Sequence, residues 1–67
     1  MSDFKDRLNE TLYRNRISQY ALAKRLFMTQ GVVNKYCTGK REPSLDVLIA
    51  ICKELNVSAD FLLGLTD

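Results

Sequence analysis

Apolar residues recur along this chain at helical rather than strand spacing. Phe4, Leu8 and Leu12, with Thr11 beside them, follow the i, i+4, i+7, i+8 pattern of a buried helical stripe, which predicts a helix from about Asp3 to Asn15 with Ser2 as its cap. Leu22, Ala23 and Leu26 form a second short stripe, and Val33 and Tyr36 a third. Ser18 and Thr29 stand immediately before these segments, where a hydroxyl can accept from the free N–H groups of helices beginning at Gln19 and Gln30. Gly39 suits the end of the third helix. Ser44 then caps a fourth helix from Leu45 to Leu55, expected to bury Leu45, Leu48, Ile49, Cys52 and Leu55 and to end at Asn56. Ser58 caps a last helix from Ala59 to about Leu63, in which Phe61 and Leu62 close the core.

The second and third helices are joined only by Phe27, Met28 and Thr29, which makes them a helix-turn-helix unit. With Val33 and Tyr36 turned inward, the 3.6-residue period leaves Gln30, Gly31, Asn34 and Lys35 on the open face of the third helix, with Val32 beside them. These residue types suit base edges: Gln and Asn pair with adenine, Lys donates to guanine, and Val touches a thymine methyl. A solvated polar face would look the same if nothing else supported the reading.

Charge adds such support. The net charge is only +2, yet residues 18–43 carry five bases and one acid, whereas residues 44–67 carry one base and four acids. Positive charge is concentrated in and just after the helix-turn-helix, as on a surface that faces phosphates. At 67 residues and 46% apolar content the chain is expected to form one folded domain with a single small core.

Other chemistry finds little to build on. There is no histidine, Cys37 and Cys52 are far apart in sequence with apolar neighbours, and no CxxC pair occurs, so no metal site is expected and both cysteines read as thiols in a reducing compartment. No cofactor or small-molecule site is evident, and no cluster of acids and nucleophiles suggests an enzyme. No apolar run approaches the roughly 20 residues of a membrane span, and the start, MSDFKDRLNE, lacks a signal peptide's apolar stretch. A cytoplasmic protein is expected.

The stretch from Phe4 to Leu65 resembles the helix-turn-helix regulators of the phage repressor and Cro type. Ser18-Gln19, Leu22-Ala23, Thr29-Gln30, Val33, Tyr36 and Gly39-Lys40, followed by Arg41-Glu42-Pro43-Ser44-Leu45, match that family's pattern in type and spacing. The resemblance implies an all-α, five-helix lambda-repressor-like domain in which the third helix reads bases. It also implies phosphate contacts by Gln19, Lys40 and Arg41. Thr29 is a further candidate for the same role, and Arg14 and Arg16 either reach that phosphate strand or merely complement the end of the first helix.

Three positions depart from the pattern. Phe27 stands where the family usually has glycine with positive φ, so either the ring covers core at the expense of strain or the turn is shaped differently. Leu12 and Cys37 replace an arginine and a glutamate that commonly form a buried ion pair, which predicts contact between the two apolar side chains. Gly31 removes a side chain that often touches a base, and either shifts base reading to its neighbours or lets the backbone approach DNA closely.

The function implied is sequence-specific binding of double-stranded DNA by a transcriptional regulator, expected to be a repressor acting as a homodimer on a near-palindromic operator. Val47, Ile51, Leu63 and Leu65 are the apolar residues expected to remain exposed, and Ile51, Leu63 and Leu65 are the candidate dimer contacts. The competing class is a protein-interaction module, antitoxin-like or an adaptor, that keeps the fold without reading DNA.

Overall fold

A computed structural model of the chain describes residues 3–66. Its elements are five helices, α1 (Phe4–Asn15), α2 (Gln19–Leu26), α3 (Gln30–Cys37), α4 (Leu45–Leu55) and α5 (Ala59–Leu62), with no strand among the described residues. Four of the five start as the sequence predicts. Ser18 Oγ accepts from the Ala21 N–H at 3.0 Å, Thr29 Oγ1 from Val32 at 3.3 Å, Ser44 Oγ from Val47 at 3.3 Å and Ser58 Oγ from Phe61 at 3.0 Å. Each such cap is worth about 1 kcal/mol. At α1 the cap position belongs to Asp3, whose side chain makes no capping bond, and the expected cap Ser2 lies outside the described residues.

The ends of α1, α2 and α4 share one device. Arg16, Phe27 and Asn56 all adopt left-handed backbone, with φ of 56°, 58° and 55°. The following N–H then turns back to the helix: Ile17 donates to the Leu12 carbonyl, Met28 to Ala23 and Val57 to Cys52. Carbonyls of the last turn are thereby satisfied, and a half-buried apolar side chain (Ile17, Met28, Val57) is laid against the core just beyond the helix.

Five fully buried side chains sit at the centre, one from each helix: Leu8, Leu22, Val33, Ile51 and Leu62. Phe4, Leu12, Ala23, Tyr36, Cys37, Leu48 and Leu55 complete the cluster. Leu12 and Cys37, the apolar substitutes for an ion pair, belong to this same cluster. Thr11 is also buried, and its hydroxyl is satisfied by donating to the Arg7 carbonyl at 2.7 Å.

The fourth helix corrects the expected register. Leu45 and Ile49 are 77% and 51% exposed, Cys52 is only half-buried, and Leu48, Ile51 and Leu55 form the buried stripe. Ile51 is therefore no surface residue and cannot serve a dimer contact: it is completely enclosed. Val47, also expected at the surface, is half-buried against the core. The helix packs on both α2 and α5, and the i, i+3, i+7 stripe through Ile51 faces them, whereas the stripe through Leu45 and Ile49 points away.

Candidate nucleic-acid interface

The helix-turn-helix of α2 and α3 is held from both ends. Within the turn, Phe27 takes the left-handed conformation that a glycine would adopt without strain, and its ring is 97% exposed. The strain is thus accepted, but the ring covers no core. At the far end, Gly39 at φ 78° closes α3 by donating to the Tyr36 carbonyl, while the Lys40 N–H reaches the Lys35 carbonyl at 2.9 Å. A Cβ on Gly39 would come within 2.7 Å of Lys5 Cδ, so glycine here also admits a side chain from α1. Asn9 of α1 adds a further tie, donating through Nδ2 to the Cys37 carbonyl at 2.8 Å.

On the open side of α3, Gln30, Gly31, Asn34 and Lys35 are exposed, as the period predicts. Val32 is different: it is half-buried and packs against the core, leaving only part of its surface to the open face. An added Cβ at Gly31 would meet nothing nearer than Thr29 Oγ1 at 4.0 Å. Among the described residues no contact therefore requires glycine at this position.

Candidate phosphate residues stand at both ends of α3: Thr29 before it, Lys40 and Arg41 after it. Thr29 is exposed, and its hydroxyl accepts from Val32, which leaves the hydroxyl proton free to donate outward. Lys40 and Arg41 follow α3 directly, their backbone N–H groups both bonded to the Lys35 carbonyl at 2.9 and 3.3 Å. Arg16 is exposed at the end of α1. Among the described residues Arg16, Lys35, Lys40 and Arg41 form no ion pair, whereas Arg14 is engaged by Glu10 at 2.6 Å and Lys5 by Asp6 at 3.4 Å. Arg7 is also occupied: its guanidinium lies 4.8 Å from the Phe61 ring centroid and donates to the Thr66 carbonyl. The cations left without a carboxylate thus include those nearest the reading helix.

One contact was not legible in the sequence. Gln19, at the start of α2, accepts through Oε1 from Asn34 Nδ2 at 3.1 Å, linking a candidate phosphate residue to a candidate base-reading residue across the turn. Periodicity within either helix carries no signal for a pair 15 residues apart. Burial raises the Cys37 thiol above its ordinary range and does the same to Cys52, by disfavouring the thiolate. Among the described residues no group of His, Cys, Asp and Glu side chains could hold a metal ion, and no helix is long and apolar enough to cross a membrane.

A helix-turn-helix carried by five helices around one core defines a class of domain, and comparison with known proteins agrees. A family model described as helix-turn-helix matches residues 12–62. The solution structure of the DNA-binding domain of the P22 C2 repressor superposes with a TM-score of 0.84 at 25% identity, covering 100% of this chain and 96% of that one. The SOS-response transcriptional repressor LexA from Eubacterium rectale gives a TM-score of 0.86 at 21% identity over 91% of this chain. This chain spans 65% of that LexA chain. Among curated protein sequences there is no match. The chain belongs to the helix-turn-helix family of the phage repressor and Cro type.

Proposed function

We propose that this protein is a transcriptional regulator that binds double-stranded DNA in a sequence-specific manner, with α3 in the major groove. The observation that carries the reading is the composition of one face: Gln30, Gly31, Asn34 and Lys35 are exposed together on α3, and Lys40 and Arg41, directly after it, have no carboxylate partner among the described residues, nor does the exposed Arg16. Gln19 and Thr29 donate to phosphates from the starts of α2 and α3, where backbone N–H groups also favour an anion, and Lys40 and Arg41 clamp the strand beyond α3. Gln30, Asn34 and Lys35 then meet base edges, Gly31 brings the backbone close, and the exposed part of Val32 meets a thymine methyl.

Repression of a gene whose operator is a near-palindrome completes the reading. Two copies would present their α3 helices about 34 Å apart, on half-sites one helical turn apart. Leu63 and Leu65, 47% and 70% exposed after α5, are the residues proposed to join them, in the cytoplasm where the DNA is. Titration of labelled duplexes across salt concentrations tests the proposal. Affinity is expected to fall steeply with salt, by about 0.9 log units per log unit for each phosphate neutralised, and one sequence is expected to outcompete random duplex. No duplex binding even near about 50 mM salt would contradict it and favour a protein partner instead.

A further inference from the structure

We propose that Lys5 of α1 belongs to the DNA-binding surface: on binding, its ammonium leaves Asp6 for a backbone phosphate that it shares with Lys40 and Arg41. The proposal rests on the DNA-binding reading above and extends that surface onto the helix that otherwise only supports α3.

The placement follows from Gly39. Lys5 Cγ, Cδ and Cε pass 3.9, 2.7 and 3.3 Å from the point where a Cβ on Gly39 would stand, so three successive methylenes lie along the glycine. Any side chain at residue 39 would push them away. Lysine stems pack along a surface in this manner while the charged head stays in water. The Lys5 ammonium, one bond beyond Cε, is therefore held beside the residue that precedes Lys40 and Arg41. The backbone N–H groups of those two residues are both tied to the Lys35 carbonyl, at 2.9 and 3.3 Å, so the loop that carries them is fixed as well. Four residues beyond Lys5, Asn9 donates to the Cys37 carbonyl at 2.8 Å. Lys5 and Asn9 share a face of α1, and two contacts thus seat that face on the end of α3.

Three cations therefore stand at or next to one exposed glycine. Like charges repel, and an anion placed among them removes the repulsion. Among the described residues the one carboxylate paired with any of the three is Asp6, which meets Lys5 Nζ at 3.4 Å. That pair joins neighbours in sequence whose side chains are 44% and 71% exposed. Water and salt screen it, and giving it up costs little. A phosphate competes on better terms, because its charge is met by three cations where Asp6 meets one.

A second role for the same cations is separable from this one. The last turn of a helix carries partial negative charge, which repels an anion and is complemented by nearby lysines and arginines. Complementing the end of α3 acts on stability alone. Phosphate contact acts on affinity and on its salt dependence, and it is blind to base sequence.

The experiment titrates wild type, Lys5→Met, Lys5→Arg, Asp6→Asn and Lys53→Met with a duplex selected from a random pool and with random duplex, across salt concentrations, and records the thermal transition of each. Lys5→Met keeps most of the stem and removes the charge. It is expected to bind both duplexes roughly threefold to tenfold more weakly at about 100 mM salt, to keep the ratio between them, and to lower the salt slope by about 0.9, the share of one phosphate. Lys5→Arg is expected to stay near wild type. Asp6→Asn is expected to bind more tightly, with that gain reduced when Lys5→Met is also present. Lys53→Met removes the same charge from an exposed position on α4 and is expected to leave the slope unchanged. An unchanged slope in Lys5→Met, an equal fall in Lys53→Met, or a loss of stability in Lys5→Met with binding intact overturns the proposal while the DNA reading stands. Failure of wild type to bind duplex at all overturns both.

Discussion

The Asn9 side chain of α1 donates to the Cys37 carbonyl at 2.8 Å, joining the supporting helix to the last turn of the reading helix. Carbonyls in a helix's last turn have no partner within the helix. A side chain from a neighbouring helix therefore both satisfies one of them and fixes where α3 ends. Asn9→Ala is expected to destabilise the domain by about 1 kcal/mol, the usual net worth of such a bond. Urea denaturation checks this, and an unchanged midpoint would show that water replaces Asn9 without cost.

Phe27 carries left-handed backbone at φ 58° with its ring almost wholly in solvent. A β-carbon in that conformation costs on the order of 1 kcal/mol, and the ring recovers nothing by burial. Phe27→Gly is expected to stabilise the fold by a few tenths of a kcal/mol, since the extra freedom glycine gives the unfolded chain, about 0.4–1 kcal/mol, offsets part of the relieved strain. In a domain of this size each kcal/mol is a rise of about 4–8 °C in melting temperature, so a rise of about 1–4 °C is expected. A fall would mean that the ring contributes to the folded state.

Gly31 invites the opposite pairing of effects. Glycine within a helix costs about 1 kcal/mol relative to alanine, and the space around its α-carbon is open. Gly31→Ala is expected to be more stable by up to that amount and to bind duplex less tightly, because the added methyl stands between the α3 backbone and the groove. Calorimetry and duplex titration on the same preparation measure the two. Gain in stability with undiminished affinity would remove Gly31 from the interface.

The Cys37 thiol, pushed by burial above its ordinary value of 9.0, links stability to pH. The folded state keeps this proton to higher pH than the unfolded chain does. Its contribution is therefore fully present below the unfolded value and is lost as pH rises through the folded one. Between about pH 8 and about pH 10 the urea midpoint of wild type is expected to fall more than that of Cys37→Ala. Parallel falls would show that Cys37 ionises equally easily in both states.

Most of this architecture can be read from local signals. Ser18, Thr29, Ser44 and Ser58 each precede an apolar stripe and each caps a helix in the structure, because capping depends on a few adjacent residues. The open face of α3 follows from the period set by Val33 and Tyr36. Local signals fail for α4, whose sequence LDVLIAICKEL is apolar on more than one side. Leu45 and Ile49 make as regular a stripe as Leu48 and Ile51, and only packing against α2 and α5 decides between them. The Gln19–Asn34 bond was hidden for a related reason: it depends on how two helices meet, and neither helix's own pattern contains that information. Val32 shows the same limit in milder form, since its partial burial is set by neighbouring helices rather than by α3.

Base reading by α3 is tested most directly by selection of bound duplexes from a random pool, with wild type and Gln30→Ala carried in parallel. Wild type is expected to enrich a two-fold symmetric site, and Gln30→Ala to relax specificity at one symmetric pair of positions while the rest of the site is retained. Enrichment of no sequence by wild type, even at low salt, would contradict the claim.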